Sequence, residues 1–270
     1  MNASPENRPS SADPDLNRLA TTVRGNRKTL NRLKERVALL ERALEIVCHD
    51  PQMQWLYRNR SERMDPTVPV FPELRSEFHR ARYRFAAERV CGLSVADIAC
   101  GTGYGCRMLL DQGGATRVRG VDICRETIEY ARNRHAREGI DYVVADAADS
   151  GLAEESLDCV VSFETIEHVP DDEALLAEFR RILKPGGLLI CSTPNAWPLE
   201  IAPHHVREYD RESFTRALSV GFEIGELFNQ NSGSDFLYNH DQPAGIVPTT
   251  DANHRQAECF LAVARRVARN

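Results

Sequence analysis

Residues 95–105 read Val-Ala-Asp-Ile-Ala-Cys-Gly-Thr-Gly-Tyr-Gly. Small apolar and β-branched residues surround Asp97 and run into glycines at 101, 103 and 105, the pattern of a buried parallel strand that breaks into a turn. A helix is predicted to begin near Tyr104. Glycines let a ligand lie against bare backbone, and the following helix offers unpaired N–H groups and the positive end of its dipole. The stretch predicts a site for a nucleotide-like cofactor.

The sequence downstream alternates between strand and helix. Arg117–Val121 is predicted as a second strand ended by Asp122, Ile123–Glu138 as a helix, and Asp141–Ala145 as a third strand ended by Asp146. Leu157–Phe163 follows as strand four, Glu173–Leu183 as a helix stopped by Lys184-Pro-Gly-Gly187, and Leu188–Thr193 as strand five. Phe222–Phe228 and Ala257–Arg265 complete the strands, the last one antiparallel. Such alternation with short connections predicts an open α/β sheet with helices on both faces. Asp97, Asp122 and Asp146 then stand at the C-terminal ends of successive strands, the edge where ligands of such sheets bind. Taken singly, an aspartate at a strand end is more often a turn former or a helix cap.

The glycine spacing separates two cofactor classes. A dinucleotide site carries Gly-x-Gly-x-x-Gly, and Cys106 stands where its third glycine would be. Gly101, Gly103 and Gly105 behind Asp97 instead resemble motif I of the class I S-adenosylmethionine (SAM) methyltransferases, a resemblance that covers roughly residues 74–267. It implies a Rossmann-like, seven-stranded, mostly parallel sheet and SAM as cofactor. It also implies a cofactor set of Tyr83, Asp97, Ala99, Gly101, Gly103, Asp122, Ile123, Asp146, Ala147 and Glu164. Asp122 would accept the ribose hydroxyls, and Asp146 with the Ala147 amide would meet the adenine. The helix Glu73–Val90, with its stripe Leu74, Phe78, Ala81, Phe85 and Val90, would bring Tyr83 or Arg82 to the methionine carboxylate.

A hydroxyl acceptor holds its proton near neutral pH and needs a general base or a metal to become nucleophilic. Glu164, Glu167 and His168 are spaced i, i+3, i+4, which on a helical turn would put them on one face. His204-His205-Val-Arg-Glu-Tyr209 follows strand five. Together the two segments resemble the metal-site pattern of the small-RNA 2′-O-methyltransferases, which implies Glu164, Glu167, His168 and His205 as ligands of Mg²⁺ or Mn²⁺. Three readings stay open: a divalent metal site, a metal-free site with His168 as base, or Glu164 placing SAM while His168 bonds within the core. Glu167, His168 and His205 are the expected catalytic residues. His49, His79 and His135 read as surface or packing residues. Within that stretch the chain most resembles ubiquinone-pathway and bacterial sugar or glycan O-methyltransferases, notably at Ser162-Phe-Glu-Thr-Ile-Glu-His-Val169.

The remaining regions bound the function. Residues 1–14, rich in Ser, Pro and Asn, are expected to be disordered. Residues 15–48 carry a heptad, with Leu16, Val23, Leu30, Val37 and Leu44 at one seam position and Leu19, Asn26, Leu33, Leu40 and Val47 at the other. A narrow seam with charged flanks predicts a self-associating coiled coil; one amphipathic helix packed on its own domain is the alternative. Residues 49–72 read as a linker and 73–270 as the catalytic domain. The heptad region is basic, at +4, so a net charge of −6 leaves −10 elsewhere. An acidic body argues against nucleic acid as partner, since phosphate contacts need Lys and Arg. No membrane span or signal-peptide core is apparent, and the eight cysteines hold no Cys-x-x-Cys pair, so a reduced cytoplasmic protein is expected. The polar insertion Asn229–Gln256, with Asn229, Asn231, Asp235, Tyr238, Asn239, His240 and Asp241, suits a hydroxyl-rich acceptor, or is a surface loop without a role. The expected function is O-methylation of a sugar-containing acceptor (glycan, glycolipid or natural product). The alternatives are 2′-O-methylation of RNA and a non-catalytic SAM-binding scaffold.

Overall fold

A computed structural model of the chain describes residues 14–47, 49–60, 63–200, 202–232 and 244–267. The chain divides into two units, Met1–Tyr57 and Arg58–Asn270.

The first unit holds α1 (Pro14–Val47) and most of α2 (Pro51–Arg58). At 1.5 Å per residue, the 34 residues of α1 reach about 50 Å. Leu30, Leu33, Val37, Leu40 and Leu44 lie in an open stripe along it, each more than half exposed. The side chains of Leu16, Leu19, Val23 and Asn26, and the whole of residues 1–13, lie outside the described residues. The stretch read as a linker holds α2, whose first turn is capped by Asp50 through the Gln52 N–H at 2.9 Å.

The second unit is built on one sheet. In chain order its elements are α3 (Glu73–Ala87), β1 (Ser94–Ile98), α4 (Tyr104–Asp111), β2 (Arg117–Asp122), α5 (Arg125–Arg134), β3 (Ile140–Val144) and β4 (Leu157–Phe163). They are followed by α6 (Asp172–Ile182), β5 (Leu183–Pro194), α7 (Arg211–Ser219), β6 (Phe222–Asn231), β7 (Gly245–Pro248) and β8 (Cys259–Arg266). The strand order is β3-β2-β1-β4-β5-β8-β6-β7. The first five strands are mutually parallel; β8 runs antiparallel between β5 and β6.

The period-two alternation of each strand sorts the core into two layers. Val95, Val118, Cys159, Val161 and Ile190 face α3, α4 and α5, meeting Tyr83, Leu109 and Ile128. Ala96, Val121, Val160, Leu189 and Phe260 face α6 and α7, meeting Phe179, Ile182 and Phe214. The direction of strand order reverses between β1 and β4, so a crevice opens beyond their C-terminal ends, as in other open α/β sheets.

Several sequence expectations need correction. The sheet has eight strands: within the expected insertion, Gly245–Pro248 pairs antiparallel with β6, from Phe228 opposite Pro248 to Asn231 opposite Gly245. Lys184–Gly187, expected to stop the helix ahead of strand five, lies inside β5: α6 ends at Ile182 with Leu183 as its cap, and the chain enters the strand directly, with a register shift against β4. The helix expected over Ile123–Glu138 is confined to α5, because Asp122 holds the Cys124 N–H at 2.9 Å and delays its start. The helix before β1 stops at Ala87, where Arg89 N–H turns back to Ala86 at 2.9 Å. No helix among the described residues is long and apolar enough to cross a membrane.

Candidate active site

The turn after β1 is fixed to the tip of β2. Cys100 N–H donates to Val121 O at 2.9 Å, and Gly101 N–H donates to Asp122 Oδ2 at 3.0 Å. Ala99, Gly101 and Gly103 take positive φ values of 62°, 55° and 86°, and the two glycines let the chain double back there without a side chain in the way. A Cβ on Gly101 would meet nothing within 4 Å, which leaves its backbone open to a ligand. Gly105 serves packing instead, since a Cβ there would sit 2.0 Å from the Tyr83 ring.

Tyr83 needs that space because its hydroxyl donates to Asp97, 3.3 Å from Oδ1 and 3.2 Å from Oδ2. Cys106 Sγ lies 3.3 Å from Oδ2 as well. Asp97 has no exposed surface, and burial pushes its carboxyl up to about 7 against the pull of these two bonds. Tyr83 therefore meets the motif acid directly. Asp122 is buried at the tip of β2, Ile123 beside it is 66% exposed, and Asp146 is exposed, with Oδ1 accepting the Ala148 N–H at 2.8 Å.

Glu164 takes a different place from the one its spacing implies. It sits at φ 50°, just beyond β4, and its N–H reaches Ser192 O at 3.2 Å and Ser192 Oγ at 3.1 Å. Arg82, 2% exposed, places its guanidinium 2.7 Å from Glu164 Oε1, which also accepts the Ser192 hydroxyl at 2.7 Å. Burial opposes the Arg82 charge, but the Glu164 carboxylate, with Cys259 and Tyr104 beside it, outweighs burial and keeps the guanidinium protonated. Residues 164–168 form a turn closed by His168 N–H to Thr165 O at 2.9 Å, and no helical face exists there. A left-handed Glu164 followed by a turn breaks the i, i+3, i+4 relation.

Glu167, His168 and His205 do converge: each offers a ligand atom within 4.8 Å of the others, and Glu164 is not part of the group. Glu167 is 1% exposed; Oε2 accepts Thr193 Oγ1 at 3.1 Å, while buried Oε1 has no hydrogen-bond partner. Burial first, and the Glu164 charge second, push its carboxyl well above the usual range. His168 Nδ1 lies 2.9 Å from His204 O, an atom that only accepts, so Nδ1 carries the proton. That leaves Nε2 as the lone-pair nitrogen, 3.8 Å from Glu167 Oε1. The two imidazoles meet edge to face at 4.7 Å, and Trp197 stacks beside His205 at 6.1 Å.

The rest of the segment 204–209 holds this arrangement together. Arg207 donates to the carbonyls of Ile166, Val169 and Pro170, and Val206 N–H donates to Glu167 O at 2.9 Å. Tyr209 donates its hydroxyl to Asp172. Arg207 and Val206 therefore pin the loop bearing His205 to the turn bearing Glu167, and Tyr209 ties it to the start of α6. Sequence reasoning missed this role, along with Trp197 and the partnership of Arg82 with Glu164.

An unpartnered buried carboxylate oxygen facing two imidazoles fits a divalent cation, with one hard oxygen and two nitrogen donors. At the other end of the crevice, an open glycine turn with carboxylates at the tips of β1 and β2 fits an adenosyl cofactor carrying positive charge.

A family model described as a methyltransferase domain matches residues 96–191. A protein of Mycolicibacterium smegmatis, named as a probable S-adenosylmethionine-dependent methyltransferase, is 34% identical over 177 residues, covering 62% of this chain and 67% of that one. The chain belongs to the class I SAM-dependent methyltransferases. The methyltransferase is also 39% identical over 113 residues to a ubiquinone biosynthesis O-methyltransferase of Cereibacter sphaeroides, covering 41% of this chain and 45% of that relative, less than half its length. The solved structure of a SAM-dependent methyltransferase from Mesorhizobium loti superposes with a TM-score of 0.53 at 22% identity, over 72% of this chain and 100% of that one. That likeness carries the fold.

Proposed function

We propose that the methyltransferase acts on a hydroxyl of a sugar-containing acceptor at the Glu167–His168–His205 cluster, with a divalent cation, Mg²⁺ or Mn²⁺, held there. The observation that carries this reading is Glu167 Oε1, buried without a hydrogen-bond partner and 3.8 Å from His168 Nε2. Such an atom is costly to bury unless a proton or a cation meets it. A cation in that position would supply positive charge beside the acceptor oxygen and ease loss of its proton. SAM supplies an electrophilic methyl on a sulfonium, so the chain's own task is alignment of the acceptor and removal of its proton. His168 is suited to the second task, because its protonated nitrogen is fixed by His204 O and its free lone pair points into the cluster.

The similarity to a ubiquinone biosynthesis O-methyltransferase supports oxygen as the methylated atom. Trp197, stacked beside His205, supports a sugar ring as the acceptor, since the apolar face of a sugar packs well on an aromatic plane. Asn229, expected to meet the acceptor, is occupied: Nδ2 reaches Asn253 O at 3.0 Å and Oδ1 accepts Thr249 Oγ1 at 2.7 Å. Asp235, Tyr238, Asn239, His240 and Asp241 lie outside the described residues. For α1 the reading is self-association through its apolar stripe, supported by five large aliphatic side chains open along one seam. A cytoplasmic setting suits thiols left unpaired on Cys91, Cys100, Cys106, Cys124, Cys159, Cys191 and Cys259.

Methyl transfer from labelled SAM to oligosaccharides, glycolipids and short RNAs, before and after chelation, tests the reading. Transfer to a saccharide hydroxyl, lost on chelation and restored by Mg²⁺ or Mn²⁺, is the expected result. Undiminished transfer after chelation would remove the metal and leave His168 as the base. Transfer to RNA alone would overturn the acceptor class.

A further inference from the structure

Asp65 and His135 form a buried pair that lies outside the sheet-edge acids. His135 Nε2 is 2.7 Å from Asp65 Oδ2, and Tyr130 donates its hydroxyl to the same oxygen at 2.8 Å. Oδ1 accepts the Thr67 N–H at 2.9 Å together with the Thr67 hydroxyl. Asp65 is 1% exposed and His135, read from sequence as a surface or packing residue, is 6% exposed. A carboxylate removed from water is costly unless its lone pairs are filled, and here four donors fill them. So complete a set of partners marks a position that the fold holds rigidly.

The knot holds Arg63 and Met64. Met64 O accepts the hydroxyl of Thr102, a residue of the glycine turn itself, at 2.6 Å. One residue earlier, Arg63 brings its guanidinium to 3.9 Å from Asp122 Oδ1 and its Nε to 3.2 Å from Thr127 Oγ1. One residue after the knot, Pro66 O accepts from Arg80 at 2.8 Å, which anchors the strap to α3. Residues 63–67 thus run from the tip of β2, past the glycine turn, to the C-terminal end of α5.

We infer that residues 63–67 form a wall of the SAM site at its ribose end, and that Asp65 is a positioning residue for cofactor binding, acting through Met64 and Arg63. The inference rests on the assignment of Asp122 to the ribose hydroxyls. These partners of the strap lie on the glycine turn, the tip of β2, α5 and α3, so its effect falls on SAM affinity and not on the chemical step.

Calorimetry with SAM on the full chain, paired with steady-state kinetics, tests this with Asp65→Asn, Tyr130→Phe, Arg63→Ala and Arg63→Lys. Asp65→Asn should weaken SAM binding about tenfold and raise the KM for SAM to match, with kcat within about twofold. Tyr130→Phe deletes one hydroxyl and should weaken SAM binding about threefold, so the inference stays testable if Asp65→Asn fails to fold. Arg63→Lys should retain more affinity than Arg63→Ala. SAM affinity unchanged in both Tyr130→Phe and Arg63→Ala, whatever the loss of melting temperature, would reduce the knot to a structural tie and overturn the inference. Asp122→Ala serves as the control for the underlying reading: undiminished SAM binding in that variant would sink the ribose assignment itself, whatever the strap variants show.

Discussion

The hydroxyl of Tyr83 is shared between the two oxygens of Asp97, 3.3 Å from one and 3.2 Å from the other, inside a fully buried pocket at the end of β1. Burial lifts the carboxyl from an ordinary 3.8 to about 7, with the Tyr83 and Cys106 bonds pulling the other way. Because the folded group titrates above the unfolded one, its contribution to stability is present below about pH 4 and is lost as pH rises through about 7. A cofactor whose positive charge lies against Asp97 would reverse the preference by binding the ionised form.

SAM affinity should therefore rise as pH increases from 6 to 8 and level off above the Asp97 transition. Binding near the midpoint should release a fraction of a proton, readable as a dependence of calorimetric heat on the ionisation enthalpy of the buffer. Tyr83→Phe keeps the ring that fills the space over Gly105 but removes a donor to the carboxylate. The affinity transition should move to higher pH in that variant. A flat profile for both proteins would show that Asp97 stays ionised, or that it does not sense the cofactor.

The two acids on either side of the turn after β4 should behave differently on substitution. Glu167→Ala and His205→Ala should each abolish methyl transfer while leaving SAM affinity within about threefold, because the cluster shares no residue with the glycine turn. Glu164→Gln keeps an acceptor for the Ser192 hydroxyl and loses the charge paired with Arg82. It should lower stability by about 2–4 kcal/mol, as expected when one partner of a buried ion pair is neutralised, while divalent metal uptake persists. Equilibrium denaturation and elemental analysis of each purified variant check the contrast. Loss of metal from Glu164→Gln with no loss of stability would return Glu164 to the ligand set.

Much of this arrangement is legible from local sequence, and the exceptions have physical reasons. Residues 95–105 specify their strand, turn and helix because glycine positions and apolar alternation are local signals. Leu157–Phe163 is recovered with its bounds for the same reason. By contrast, β7 is four residues long and carries Gly245 and Pro248, so it lacks a strand's pattern and is held by long-range pairing with β6 and by Ile246 packing on the core. Glu167, His168 and His205, put together in the sequence by a family resemblance, offer ligand atoms within 4.8 Å of one another, whereas Glu164 stands apart because its left-handed backbone breaks the helical spacing. Arg82 with Glu164, and Asp65 with His135, join residues 82 and 70 positions apart. Pairings so distant leave no mark in any short window of sequence.

The glycine turn offers a paired test of packing against ligand space. Gly105→Ala would put a Cβ 2.0 Å from the Tyr83 ring, so the ring must leave Asp97 or the helix must shift. Overpacking of this kind costs about 1–3 kcal/mol, and the lost Tyr83 bond should weaken SAM binding as well. Gly101→Ala meets no neighbour within 4 Å, so its penalty is confined to φ 55°, about 1 kcal/mol. Thermal melts without cofactor should rank Gly105→Ala as the less stable, whereas SAM titration should find binding impaired in both. Normal SAM affinity in a folded Gly101→Ala variant would place the cofactor away from this backbone.

The stripe on α1 calls for a test in solution. Leu33 and Leu40, each just over half exposed, are one heptad apart and lie at the same seam position of the repeat. Burying side chains of this size against a partner helix gains about 1.5–3 kcal/mol each, enough over several seam positions to favour a dimer or higher assembly. Leu33→Asp with Leu40→Asp sets charges into that seam and should convert the protein to monomers. Light scattering behind size-exclusion chromatography would report the mass directly. Methyl transfer per chain should persist in the monomer, since the Glu167 cluster and the glycine turn draw all their residues from the second unit. A wild-type protein that is already monomeric at high concentration would show that the stripe has no copy of itself as partner.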